Sequence, residues 1–221
     1  GSDGLILLQA PREADDAYHM EFFNPDGSQS FCGNGSRCTY AFWSRLAGSR
    51  EAVRFTAIDG RHEAGPLGDK VSIGMRDVAP PEALQEGVLL FDTGSPHLLI
   101  TVPDPQQVDI VREARQWRYN ERFKAKGVNV NFVRWDGSTL HMRTYERGVE
   151  DETLSCGTGV TAGALGVMHA HGVPGPVRIS TAGGALEVNA QRRDDGGYMN
   201  VRLVGPALPV YEGVWPGGER G

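Results

Sequence analysis

The chain has 221 residues, 22 Lys and Arg against 28 Asp and Glu, and a formal net charge of -6. That length holds one large domain or two small ones with real cores, and the acidic balance argues against nucleic acid or an anionic membrane surface as main partner. No apolar run approaches the ~18 residues that a membrane helix needs, and three cysteines are too few for a disulfide framework and point to a reducing, cytoplasmic setting.

In chain order, His19-Met20 leads into a turn at Asn24-Pro25-Asp26-Gly27, and Cys32-Gly33-Asn34-Gly35 opens an apolar stretch, Ser36 to Gly48, that reads as a helix. Cys38 falls inside that helix and reads as a small buried hydrophobe. Val53 to Ala57 and Val71 to Met75 read as strands around an Asp59-Gly60 turn. A lobe boundary is expected near residues 85–90, dividing 1–88 from 89–205. Ser95 to Val102 opens the second lobe as a strand carrying His97. Gln106 to Phe123 fits either a surface helix or a long loop. Val128 to Trp135 and Thr139 to Tyr145 alternate on either side of Asp136-Gly137, a strong hairpin signal. Cys156-Gly157-Thr158-Gly159 then opens Val160 to Met168, which has no charged face and reads as a helix buried on all sides. Val177 to Ser180, Ala185 to Asn189 and Tyr198 to Val204 complete a meander.

The two cysteine motifs are copies. Cys32 and Cys156 are 124 residues apart, and Val53-Arg54-Phe55-Thr56 meets Val177-Arg178-Ile179-Ser180 at the same offset. His19-Met20 meets His141-Met142 at offset 122, which sets Asn24 opposite Glu146. The apolar stretch after each cysteine also ends in glycine, Ser36 to Gly48 in one copy and Val160 to Gly172 in the other, and four matches in one order indicate a duplicated supersecondary unit. The expected fold is therefore α+β: two pseudo-symmetric lobes, each a curved β-sheet or barrel wrapped around a central α-helix.

A helix start leaves backbone N–H groups unpartnered and partly positive, so glycines there make a seat for a carboxylate. A cysteine at that place is expected to have its thiolate favoured. Two such seats related by a pseudo-twofold can face one carbon from opposite sides, the requirement for inverting a stereocentre with an acid and a base. Aimed donors in a dry site would stabilise the carbanion. Nothing in the chain resembles a pyridoxal lysine or its phosphate loop, so the expectation is a cofactor-independent enzyme without metal. Blander readings stand beside this one. They are a Cys32–Cys156 disulfide, a zinc site with Cys38, a structural His97 and an ordinary turn at Asn24.

At these residues the sequence resembles the diaminopimelate epimerases. The matching blocks are Asn24 to Ser28, Cys32 to Cys38, Gly94-Ser95-Pro96-His97, Val128-Asn129, and Glu146-Arg147-Gly148 running to Glu152 and on through Gly159. The resemblance implies an active site between the lobes, with Cys32 and Cys156 interconverting LL- and meso-diaminopimelate in lysine biosynthesis. It implies that Gly33, Asn34, Gly157 and Thr158 hold the reacting α-carboxylate. It also implies that Asn24, Asn129 and Arg147 hold the distal end, with Glu146 and His97 near the α-amino group. A strand at about Leu208 to Trp215 would return residues 206–221 to the first lobe. The partner implied is the small-molecule substrate, and a homodimer is left open.

Three departures stand out. Ser95 replaces a common asparagine. The Asn24–Cys32 spacing is one residue short and the Arg147–Glu152 spacing one long. The family's opening strand has no counterpart in these 221 residues, so a strand unit is expected to be missing before Gly1, and with it solubility and activity. Proline-type racemases, a thiol redox protein and an amino-acid-binding protein are the alternatives.

Overall fold

A computed structural model describes residues 4–24 and 26–214. Pro25 of the Asn24 turn, Gly1 to Asp3 and Trp215 at the end of the expected last strand lie outside the described residues.

The first half runs β1 (Leu5–Gln9), β2 (Tyr18–Phe23), α1 (Gly33–Ala47), β3 (Val53–Ala57), β4 (Gly60–Leu67) and β5 (Lys70–Gly74). The second runs β6 (Glu82–Gln85), β7 (Val88–Asp92), β8 (Pro96–Thr101), α2 (Ile110–Arg118), β9 (Asn129–Trp135) and β10 (Thr139–Glu146). It continues through β11 (Asp151–Thr153), α3 (Gly157–His171), β12 (Val177–Thr181), β13 (Gly184–Arg192) and β14 (Tyr198–Gly205). The ambiguous Gln106–Phe123 stretch resolves as a helix, started by Asp109, whose side chain accepts from the Arg112 N–H.

The duplication is visible element by element. α1 and α3 have 15 residues each, begin 124 positions apart, and end at Gly48 and Gly172 in the left-handed conformation, φ 63° and 65°. β2 pairs parallel to β3 through Tyr18↔Phe55, and β10 pairs parallel to β12 through Leu140↔Ile179. Each helix is thus the crossover between two parallel strands, the connection that such pairs require.

Hydrogen bonding joins both halves into one path, β1-β2-β3-β4-β5-β14-β13-β12-β10-β9-β8-β7-β6, with β11 added to β10. The seam is the antiparallel β5–β14 pair. Because β6 pairs with β7, strand pairing of the second half begins at Glu82.

The two helices differ in what covers them. Every residue from Gly159 to Met168 is buried, which accounts for the absence of a polar face in α3. α1 buries one face and leaves Cys38, Phe42 and Leu46 exposed at four-residue spacing. The expectation of a buried Cys38 is therefore corrected: the cysteine is in the helix but on its outer face. The expected last strand is also corrected over its described part, since residues 206–214 form no strand and Leu208, Val210, Tyr211 and Val214 are exposed. This segment does approach the first half, where Arg45 pairs with Glu212 and the Arg37 Nε donates to the Pro206 carbonyl.

Candidate active site

Each cysteine is the N-cap of its helix. Cys32 (φ -124°, ψ 105°) and Cys156 (φ -112°, ψ 117°) are both extended, so each side chain swings back toward the free N–H groups of the first turn. The Cys32 Sγ accepts from the Gly35 N–H at 3.2 Å. Cys156 makes no such cap and lies instead 3.4 Å from the Thr158 Oγ1.

The two helix starts abut. A Cβ placed on Gly157 would lie 3.3 Å from the Gly33 Cα and 3.4 Å from the Asn34 nitrogen, so a side chain there would press the two helix starts apart by a few tenths of an ångström. Asn34 closes the joint from the side, its Nδ2 donating to the Ser155 carbonyl at 3.0 Å. Gly33, Asn34, Gly157 and Thr158 are therefore gathered at one place. All three cysteines are free thiols, and among the described residues no group of three His, Cys, Asp or Glu lies close enough to hold a metal.

Sequence reasoning expects lowered thiol pKa values at helix starts. The structure reverses the sign. Burial, opposed by the Gly35 N–H, pushes Cys32 up. Burial and the Glu146 carboxylate push Cys156 up to about 12. The N–H groups at the helix starts remain as donors, but enclosure between the lobes costs a thiolate more than they return. Glu146 acts electrostatically on both thiols, and its Oε2 accepts from the Thr153 hydroxyl at 2.8 Å.

His97 stands behind Thr158. It is fully buried, with Nε2 2.8 Å from the Thr158 Oγ1 and Nδ1 3.3 Å from the Asn131 Nδ2. Burial and the nearby Arg147 charge lower its pKa to about 3, so the ring is neutral. Thr158 therefore stands between His97 and Cys156.

The expected distal group comes together in part. Asn129 accepts from the Arg147 backbone N–H at 2.9 Å and donates to the Ser95 Oγ at 2.9 Å and the Pro96 carbonyl at 3.1 Å. The Arg147 guanidinium reaches the Lys126 carbonyl and the Ser95 Oγ. Ser95 thus takes the asparagine's place and links both residues. Asn24 is engaged in its own turn with Ser28 and Ser30. Between Arg147 and Glu152, Glu150 sits at φ 59° with its carboxylate clamped by Arg118, Tyr119 and Tyr145.

Four residues escaped sequence reasoning. Arg37 lies on the buried face of α1, donates to the Asn34 Oδ1 at 3.0 Å and pairs with no carboxylate among the described residues. Asn131 and Thr144 lie behind His97. A Cβ on Gly159 would come within 2.9 Å of the Asn131 Oδ1 and 3.2 Å of the His97 ring. One signal was available: Asn129 and Asn131 are two apart in a strand and share a face.

A family model described as diaminopimelate epimerase matches residues 89–205. The diaminopimelate epimerase of Flavobacterium psychrophilum is 39% identical over 217 residues, covering 96% of this chain and 83% of its own length. That of Aquifex aeolicus is 37% identical, covering 96% and 80%. Among solved structures, a hydroxyproline epimerase from Agrobacterium vitis with bound trans-4-hydroxy-L-proline superposes with a TM-score of 0.67 at 16% identity, over 92% of this chain and 72% of its own. A Bacillus anthracis phenazine biosynthesis protein of the PhzF family reaches 0.68 at 13% identity, over 93% and 82%. These structural matches establish a shared fold.

Proposed function

The chain belongs to the diaminopimelate epimerase family, and on that premise we propose that it interconverts LL- and meso-diaminopimelate by proton transfer between two thiols, Cys32 and Cys156, as a step of lysine biosynthesis. The observation that carries this reading is the abutment of two helix starts, Gly33 against Gly157, each capped by a cysteine.

One cysteine, as thiolate, removes the α-proton while the other, as thiol, delivers its proton to the opposite face. The two cysteines leave the reaction with their protonation states exchanged. The α-carboxylate sits on the N–H groups around Gly33, Asn34, Gly157 and Thr158, where charge developing on the carbanion is stabilised. Because both thiols rest protonated, one must first lose its proton to solvent. The bound α-ammonium group beside Glu146 favours that loss by setting a cation near the sulfur. Arg147, carried by Asn129, offers a fork to the distal carboxylate, and Asn24 borders the same end. His97 serves the amino end through Thr158. No cofactor takes part, and free thiols suit a cytoplasmic setting.

Solvent deuterium entering the α-carbon tests the reaction, with diaminopimelate compared against proline isomers. Exchange into diaminopimelate alone supports the reading. Exchange into proline alone would move the chain to the racemase reaction, and no exchange would leave it a binding protein.

A further inference from the structure

Four side chains form one line behind Cys156: Thr144 on β10, Asn131 on β9, His97 on β8, and Thr158 beside Cys156 at the start of α3. The orientation of each is constrained by its neighbours. The Thr144 hydroxyl donates to the Asn131 Oδ1 at 2.9 Å, and the Asn131 Nδ2 donates to the Leu98 carbonyl at 3.0 Å. A hydroxyl donor on one side and a carbonyl acceptor on the other leave the amide one satisfied orientation. That orientation turns the Nδ2 toward the His97 Nδ1, at 3.3 Å. A neutral imidazole facing an amide donor at Nδ1 holds its proton on Nε2. The Nε2 is 2.8 Å from the Thr158 Oγ1, whereas Asn129 approaches it only at 3.4 Å and has better acceptors in Ser95 and Pro96.

We infer that Asn131 is a positioning residue that fixes the His97 tautomer, so that the Thr158 hydroxyl proton is directed at the Cys156 sulfur. The alternatives are discrete. With the proton on Nε2, histidine donates to Thr158, whose own hydrogen is then free to reach Sγ at 3.4 Å. With the proton on Nδ1, Nε2 becomes an acceptor, takes the Thr158 hydrogen, and leaves a Cys156 thiolate without that donor. A thiolate can only accept, so the choice matters most in the state that removes the α-proton. The other groups acting on Cys156 are Glu146 and Cys32, both of which disfavour its charge. The hydroxyl of Thr158 and the N–H of Gly159 are the donors that favour it. The four side chains and Cys156 are buried or partly buried, where a satisfied chain polarises its members more strongly than in water. The inference rests on the two-thiol reading of the reaction, but its test does not require turnover.

Isotope-labelled histidine in the wild-type enzyme reports the His97 tautomer directly, with the signals assigned by their loss in His97→Gln. The Nε2–H form is expected from neutral to alkaline pH, and an Nδ1–H form overturns the inference. Alkylation by iodoacetamide then follows both thiols in the same sample across pH. Asn131→Leu should slow Cys156 about tenfold at neutral pH, one unit of pKa, while Cys32 keeps its rate. Equal slowing of both thiols, or of neither, overturns the inference. In a Thr158→Val background, Asn131→Leu should slow Cys156 no further, because the chain is already cut; an additive loss means that Asn131 acts by packing alone. If Asn131→Leu fails to fold, the wild-type tautomer still decides. Loss of the two-thiol reading would appear separately, as turnover that survives Cys156→Ala.

Discussion

The starts of α1 and α3 carry the same four-residue motif and support their sulfurs by different means. At α1 the Cys32 sulfur takes a backbone N–H, and the buried Arg37 guanidinium, held by the Asn34 side chain, interacts electrostatically with it. At α3 the neutral line Thr158, His97, Asn131 stands behind the sulfur, and among the described residues no cation takes the place of Arg37. A duplicated unit kept its backbone and replaced its electrostatics: a cation on one side, oriented dipoles on the other. The motif defines where each sulfur sits; the lobe behind it defines how readily that sulfur ionises.

The largest test asks whether both sites are needed. Cys32→Ala and Cys156→Ala should each lower epimerisation by about 10³ or more, the contribution of an aimed acid or base, and steady-state turnover of both stereoisomers measures it. A variant that keeps normal rates in both directions breaks the symmetry of roles.

Next in size is Arg37. Replacement by Met should cut kcat/KM by about 10- to 100-fold, since a charge-assisted contact contributes a few kcal/mol. It should slow Cys32 alkylation selectively. Thermal stability should hold or rise, because an unpaired buried cation is costly. A loss confined to stability would reduce Arg37 to a packing role.

The third test compares glycines at equivalent positions. A methyl on Gly159 meets Asn131 and the His97 ring, both fixed, whereas on Gly35 it meets the ends of Ile6 and Cys32 at 3.1 and 3.3 Å. Gly159→Ala should destabilise by about 1–3 kcal/mol and Gly35→Ala by less, as denaturant unfolding would report. The reverse order would mean that the α3 side is the looser one.

A smaller effect appears with pH. The folded protein keeps thiol protons that the unfolded chain releases, so this stability is full below the ordinary thiol value of about 9 and falls as pH rises toward about 12. Cys156→Ala should flatten that alkaline decline more than Cys32→Ala, read from melting temperature against pH. The smallest effect belongs to Cys38→Ala on the exposed face of α1, within about 0.5 kcal/mol and with unchanged activity.

Much of this was legible without coordinates. The repeat, both helices and their glycine ends are local features, set by glycine spacing and apolar pattern, and they recur at offset 124 because the unit was copied whole. The central β9–β10 hairpin followed from Asp136-Gly137 and alternation. The placement of Cys38 on the solvent side did not, because a single apolar residue in a helix does not state which face is covered.

What the sequence by itself determined is the pair of cysteine-capped helix starts and the duplicated fold around them, since capping and hydrophobic period act within a few residues. What only the tertiary structure decided is the environment of each sulfur. His97 meets Asn129 and Thr144 meets Asn131 through strand register, and a shift of one residue would turn those side chains to the opposite face. The direction of the thiol pKa values was decided there as well. Helix starts pull them down locally, but the closure of two lobes over the sulfurs removes water from both, and that burial is a property of the assembled chain alone.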